Sequence, residues 1–214
     1  MKGILMKPDV WKGKQRALAE LGMAVTRRLS GLKDINGCPS IWVQDDRTSE
    51  GCYYFHGVGV GISVRCKPRY QVGETVYIKE AWHIVGKSST DNKYELQIQY
   101  KDGERIWREV SPLKWCWYTD NTGWGVDSRW RSPLFMPAWA ARCFIKITDV
   151  RAERLQEITF GDMLNEGIEL EGQLWNKVGN DFVRLWNSIN KDYQWESNPW
   201  VFRYEFEKVE IQHG

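Results

Sequence analysis

The apolar positions of this chain change period several times, and each change marks an element. Ile4-Leu5-Met6 opens the chain as a short strand. From Asp9 to Gly22 the spacing of Trp11, Leu18 and Leu21 predicts a helix, with Gly22 as its stop. Ala24 to Leu29 then reads as extended, with Val25, Arg27 and Leu29 on one face and Ala24, Thr26 and Arg28 on the other. Residues 36–70 hold glycines, polar residues and short β-like runs. Gly57-Val-Gly-Val-Gly61 is not followed by a helix signal, so it reads as closely packed glycines in a strand or hairpin and not as a dinucleotide fingerprint. After a turn at Gly73-Glu74, the segment Thr75 to Trp82 predicts a strand that puts Val76, Ile78, Glu80 and Trp82 on one face. A carboxylate continuing an apolar row is unusual unless it is paired or functional. An ion pair with an arginine and a ligand role are both open for Glu80.

Residues 85–130 are polar and rich in tryptophan (Trp107, Trp115, Trp117, Trp124, Trp130), with no dominant helical period, and read as hairpins and loops. Arg142 to Leu155 predicts a long strand, with Cys143, Ile145 and Ile147 alternating against Lys146 and Thr148. Thr159-Phe-Gly-Asp162 resembles a capping box with Asp162 in the usual Glu position, opening a short helix that closes at Glu166-Gly167. A negative charge in the last turn opposes the helix dipole by some tenths of a kcal/mol, so Glu166 needs another reason to be there. Asn180 is placed to cap a second helix whose Phe182, Leu185, Trp186 and Ile189 form a core stripe. Trp200, Phe202, Tyr204 and Phe206 then alternate with Val201, Arg203, Glu205 and Glu207 as a half-buried closing strand. Strands outnumber helices, so the class is α+β, and a small mixed barrel with flanking helices fits the pattern.

Composition adds less. The net charge is only +2, but residues 1–35 carry eight Lys or Arg against three acids, while residues 151–214 carry seven against twelve. This asymmetry suits either a basic face for phosphates or an internal pairing of the two ends. The five cysteines form no CxxC pair and the three histidines lie far apart, which predicts scattered reduced thiols, no structural metal and no cofactor. No apolar run reaches 18 residues and the opening segment is too short for a signal peptide, so the expectation is a cytoplasmic protein without a membrane span.

Four segments together carry a family likeness: Ile4-Leu-Met-Lys-Pro8, Thr26-Arg-Arg-Leu-Ser-Gly-Leu-Lys33, Val72-Gly-Glu-Thr-Val-Tyr-Ile-Lys-Glu-Ala-Trp82, and Pro133 to Arg142 running into Ile147 to Leu155. The order continues through Asn165-Glu-Gly-Ile168, Leu185 to Asn190 and Asn198-Pro-Trp200. In that order they resemble phage and bacterial ASCH-domain proteins of the PUA-like superfamily. The resemblance implies one β-barrel domain over residues 1–214, with insertions at about 36–70 and 85–130. It also implies an RNA-related or nucleoside-related function in a phage-infected bacterial cell.

Some members of that family are similar to an amidohydrolase that removes the acetyl group of N4-acetylcytidine. The resemblance assigns the catalytic Thr to Thr26 and the Glu to Glu166, while the position of the expected Lys holds Met23 and that of its glycine holds Leu21. A thioether takes no proton, and loss of a general base costs about 10²–10⁴ in rate. The chemistry survives only if Lys12, Lys14, Lys79 or another base reaches the site. The leading expectation is therefore binding of RNA or a modified nucleoside, with deacylation as the alternative. Lys7, Arg27, Arg28 and Lys33 are the candidates to hold phosphates, with Lys79 and Glu80 beside them and Trp82 or Trp139 to stack a base. A third expectation is a protein partner docked on the tryptophan-rich insertion.

Overall fold

A computed structural model describes residues 1–90, 93–119, 125–168 and 175–211, with the side chains of residues 46, 47, 175 and 176 left out. In chain order the elements begin with β1 (Lys2–Leu5), α1 (Pro8–Leu21), β2 (Ala24–Arg28), α2 (Lys33–Asn36), β3 (Trp42–Ser49), β4 (Cys52–Gly57), β5 (Ser63–Cys66) and β6 (Thr75–Lys79). They continue with β7 (Trp82–Thr90), β8 (Lys93–Tyr100), β9 (Arg105–Val110), α3 (Pro112–Tyr118), β10 (Phe144–Arg154), α4 (Phe160–Asn165), α5 (Trp175–Ile189) and β11 (Trp200–Val209). The class is α+β, dominated by sheet. The expected closed barrel is not found among the described residues: each sheet is open, with strand orders that end on unpaired edges. No described helix is long and apolar enough to cross a membrane.

The chain gathers into two compact units. The first comprises Met1–Pro8, Thr75–Ile145 and Val209–Gly214. In it β1 pairs in parallel with β6, Lys2 facing Val76 and Leu5 facing Lys79. The strands β7, β8 and β9 form an antiparallel meander. Its inner face puts Trp82, Ile84, Leu96, Ile98 and Tyr100 against Met136, Ala140 and Phe144, a continuous apolar core. The expected strand over Thr75–Trp82 is broken at Glu80-Ala81, so Trp82 starts a different sheet. The meander supplies the expected hairpins of 85–130. Helix α3 was not legible there, because its seven residues give hardly two periods; Ser111 caps it and Pro112 opens it. Trp124 lies outside the described residues.

The second unit comprises Asp9–Glu74 and Lys146–Lys208. Here β3, β4 and β5 form an antiparallel sheet, and the glycine run, read as strand or hairpin, is the turn of the β4–β5 hairpin. In the order β10-β11-β2, the strand β11 is central. This explains a difference from expectation: Trp200 to Tyr204 is buried at every residue, where a half-buried strand alternates. Helix α5 begins before Asn180, which is an interior residue and not the expected cap. Its buried row is Val178, Phe182 and Trp186, with Ile189 exposed, and the last two pack on Leu155 and Val201.

Helix α1 departs from its expected face as well. Leu21 is exposed, and the buried residues are Trp11, Gly13, Lys14 and Ala17. The reason is a backbone-to-backbone approach of α1 to the segment after α4. A Cβ on Gly13 would overlap the Gly167 carbonyl oxygen, and a Cβ on Gly167, whose φ is +93°, would lie 2.6 Å from the Gly13 carbonyl carbon. Gly13→Ala is therefore expected to destabilise the protein by about 1–3 kcal/mol. A shift in urea midpoint checks it, and Gly22→Ala is no control because its φ is also positive.

Candidate functional site

Lys14 is the centre of the second unit's polar interior. Its side chain is wholly buried, and its ammonium lies 2.5 Å from Glu166 Oε2 and 3.2 Å from the Glu166 carbonyl oxygen. It also donates to the carbonyl oxygen of Val25, which is joined through its peptide bond to Thr26. Burial lowers the Lys14 pKa, and the attraction of Glu166 opposes that shift only in part. Glu166 caps the C-terminal end of α4 with helical backbone and is buried. Its unfavourable place against the helix dipole is thus offset by two cations, because its other oxygen accepts from Arg27 Nη1 at 3.2 Å.

Arg27 reaches three different carboxylates, with Nη2 shared between Glu153, 2.7 Å away, and Asp162. Nε reaches Glu153 Oε1 at 2.7 Å, Nη2 reaches Asp162 Oδ2 at 3.0 Å, and Nη1 reaches Glu166. Asp162 and Glu166 stand four residues apart on α4, so one helix face presents both to β2. In the β2–β11 register Arg27 lies directly opposite Arg203, a like-charge pair that destabilises a sheet when unrelieved. Asp162 relieves it: Oδ1 accepts from Arg203 at 2.9 Å while Oδ2 accepts from Arg27. The sequence assigns Asp162 only as a cap. The structure keeps that role, with Thr159 Oγ1 accepting from the Asp162 backbone N–H at 3.1 Å, and adds the bridge. Burial pushes the Asp162 carboxyl up, but Arg27 and Arg203 outweigh it, so the net shift is downward.

The remaining expected residues are divided between the units. In the second, Thr26 is buried on β2 opposite Tyr204. Arg27, expected to hold phosphates, is turned inward with a 1% exposed side chain. Arg28 is half-buried; its pKa is lowered by burial, with Glu166, Tyr70 and Tyr204 acting against that shift. Lys33 is exposed at the start of α2. In the first unit, Lys7 is exposed and Lys79 donates to the Leu134 carbonyl at 2.7 Å. Glu80 takes the ion-pair role, with an oxygen 2.6 Å from Arg142, which also meets Asp102 and Glu104. Trp82 is 1% exposed, inside the core, and Trp139 packs edge-on against it at 5.7 Å. The Trp82 ring therefore serves the interior, while Trp139 is half-buried. Of the eight basic residues in 1–35, Lys14 and Arg27 pair with acids of residues 151–214, so internal pairing accounts for part of the charge asymmetry.

A cavity of about 480 Å³ adjoins the Lys14–Glu166 pair in the second unit, lined among others by Asp9, Lys12, Gly13, Glu166, Gly167 and Asp181. That volume lies in the range of small-molecule sites. Among the described residues no group of three or more His, Cys, Asp or Glu is arranged to hold a metal ion. The carboxylates around Arg27 are instead gathered by a guanidinium. The cysteines are free thiols, and burial pushes Cys66 up to about 11. Comparison of the chain with protein-family models, with curated proteins and with solved structures finds no match.

The sequence names Lys14 only as one of several lysines that could supply a base, and a signal for its burial exists. Trp11, Leu18 and Leu21 leave a gap in their stripe one turn after Trp11, and Lys14 fills it at i+3. A cation in an apolar stripe asks for a buried carboxylate.

Two outcomes test this network. Arg27→Met takes one cation from each of three buried carboxylates and is expected to destabilise the protein by about 3–5 kcal/mol, read as a fall in urea midpoint. The Asp162 contribution follows pH with a fixed sign. Its folded pKa lies below the ordinary 3.8, so the stabilisation is complete above that value and is lost as pH falls through the folded one. The acid-side loss of stability is expected to be shallower in Asp162→Asn than in the natural protein.

Proposed function

We propose that this protein is an amidohydrolase of the ASCH, PUA-like kind, deacylating a modified nucleoside such as N4-acetylcytidine, with Lys14 supplying the amine that Met23 lacks. The observation that carries this reading is the buried Lys14–Glu166 pair, hydrogen-bonded to the backbone next to Thr26, with Glu166 lining a cavity of about 480 Å³. Strongly perturbed ionisable groups at a cleft are common at catalytic sites, and a buried lysine with a lowered pKa is suited to act as a base. The likeness in segment order supports the family part of the reading.

In this mechanism the neutral Lys14 amine takes the proton of the Thr26 hydroxyl as its oxygen attacks the amide carbonyl. The C–N bond breaks, and the proton passes from Lys14 to the departing exocyclic nitrogen, leaving the acyl group as an ester on Thr26. Water then cleaves the ester, releasing the carboxylic acid and restoring the hydroxyl. Glu166 holds the lysine in place and carries the balancing charge. The assignment of Thr26 as nucleophile follows from the family resemblance.

RNA binding without chemistry is the second reading. In its favour, the Lys101 amine sits 4.1 Å from the ring of Trp130, an exposed tryptophan, pairing a cation with a flat face as single-stranded binders do. Salt-dependent retention of short RNA, with no turnover, is its signature.

The deciding measurement is deacetylation of N4-acetylcytidine followed by absorbance. Lys14→Met and Thr26→Ala are each expected to lower kcat by about 10²–10⁴. Activity should rise toward alkaline pH as Lys14 loses its proton, with a midpoint below the ordinary lysine value of 10.5. Turnover unchanged in Lys14→Met would falsify the assignment.

A further inference from the structure

Arg27 offers more to this site than a fold contact. Its Nη1 takes Glu166 Oε1 at 3.2 Å, while Glu166 Oε2 goes to Lys14 at 2.5 Å. The carboxylate is therefore held at both oxygens, by cations from two different elements, α1 and β2. The Arg27 Nη2 contact with Asp162, at 3.0 Å, holds the helix one turn earlier. A rigid planar fork does this, and an ammonium cannot span both carboxylates.

We propose that Arg27 is a positioning residue for the Lys14–Glu166 pair: by sharing Glu166 with Lys14 and anchoring α4 through Asp162, it fixes the carboxylate and keeps Lys14 from holding it alone. The inference rests on the amidohydrolase reading for its catalytic meaning. Its physical content, the control of Lys14 by Arg27, stands on the geometry. Charged groups from each neighbouring element bear on Lys14: Glu166 beyond the end of α4, and Arg27 and Arg28 from β2. Removing Arg27 takes away a nearby cation and leaves Glu166 to Lys14. Both changes favour the protonated amine, so they act in the same direction.

The test is a pH titration of the Lys14 side chain by carbon-13 NMR in the full chain labelled at lysine, with Lys14→Met assigning the resonance. In Arg27→Gln the Lys14 midpoint is expected to move up by about one pH unit or more. In Glu153→Gln, which removes a partner of Arg27 but spares its contact with Glu166, the midpoint stays near that of the natural protein. If Arg27→Gln does not fold, Arg27→Lys carries the test. It keeps a charge but not the fork, and the midpoint is expected to rise by a smaller step. An unchanged midpoint in whichever variant folds overturns the proposal, as does an equal shift in Glu153→Gln. Turnover of N4-acetylcytidine is read on the same samples. Its absence from the natural protein removes the hydrolase reading, while the titration still judges Arg27. If turnover is present, an alkaline limb that moves with the Lys14 midpoint in the Arg27 variant supports the positioning role, and a limb that stays put overturns it.

Discussion

The guanidinium of Arg27, in contact with three different carboxylates, is the interaction on which the second unit depends. Without it the unit would hold Glu153, Asp162 and Glu166 in its interior against fewer cations, and buried unpaired charge is among the costliest defects a fold can carry. Its geometry also limits topology. Arg27 and Arg203 face each other across the β2–β11 ladder, so α4 must bring Asp162 to the place where both can reach it. The capping box at Thr159 fixes where α4 starts, and the helical repeat then delivers Glu166 one turn later. Local backbone geometry and interior charge balance are the same event here.

The first unit solves a similar problem with a similar device. Arg142 is 6% exposed, meets Glu80, Asp102 and Glu104, and lies 4.2 Å from the ring of Tyr100. The difference is in surroundings. Asp102 and Glu104 are exposed residues of a turn, open to water and to screening, whereas the partners of Arg27 are buried. An exposed network tolerates loss of one partner because water replaces it; a buried one does not.

Much of the framework was legible in the amino-acid pattern. The alternation in Cys143, Ile145 and Ile147 placed β10, the Thr159–Asp162 spacing placed the start of α4, and the glycine run placed a hairpin. Even the oddity of Glu166 was visible, since a charge placed against the dipole announces a partner. What the pattern could not give was the partner. Lys14 precedes Glu166 by 152 residues, and its place in the apolar stripe of α1 asks for a carboxylate without saying which one. Helix α3 was missed for a different reason, being too short for a period. The closing strand looked half-buried because alternation reports side-chain chemistry, and Arg203 is charged; its burial becomes affordable only once Asp162 neutralises it.

The approach of Gly13 to Gly167 has a consequence for how the pair behaves over time. Each glycine is the immediate chain neighbour of one member: Gly13 precedes Lys14, and Gly167 follows Glu166. The main chains are thus in contact at the very points from which the two side chains start. A lysine ordinarily loses about 2 kcal/mol of rotamer freedom when it is held in one place. Here that freedom is surrendered during folding, when the two backbones close, and none remains to be lost when a small molecule arrives. Glu166, which lines the cavity, meets any occupant already oriented, with the buried amine fixed behind it as part of the frame.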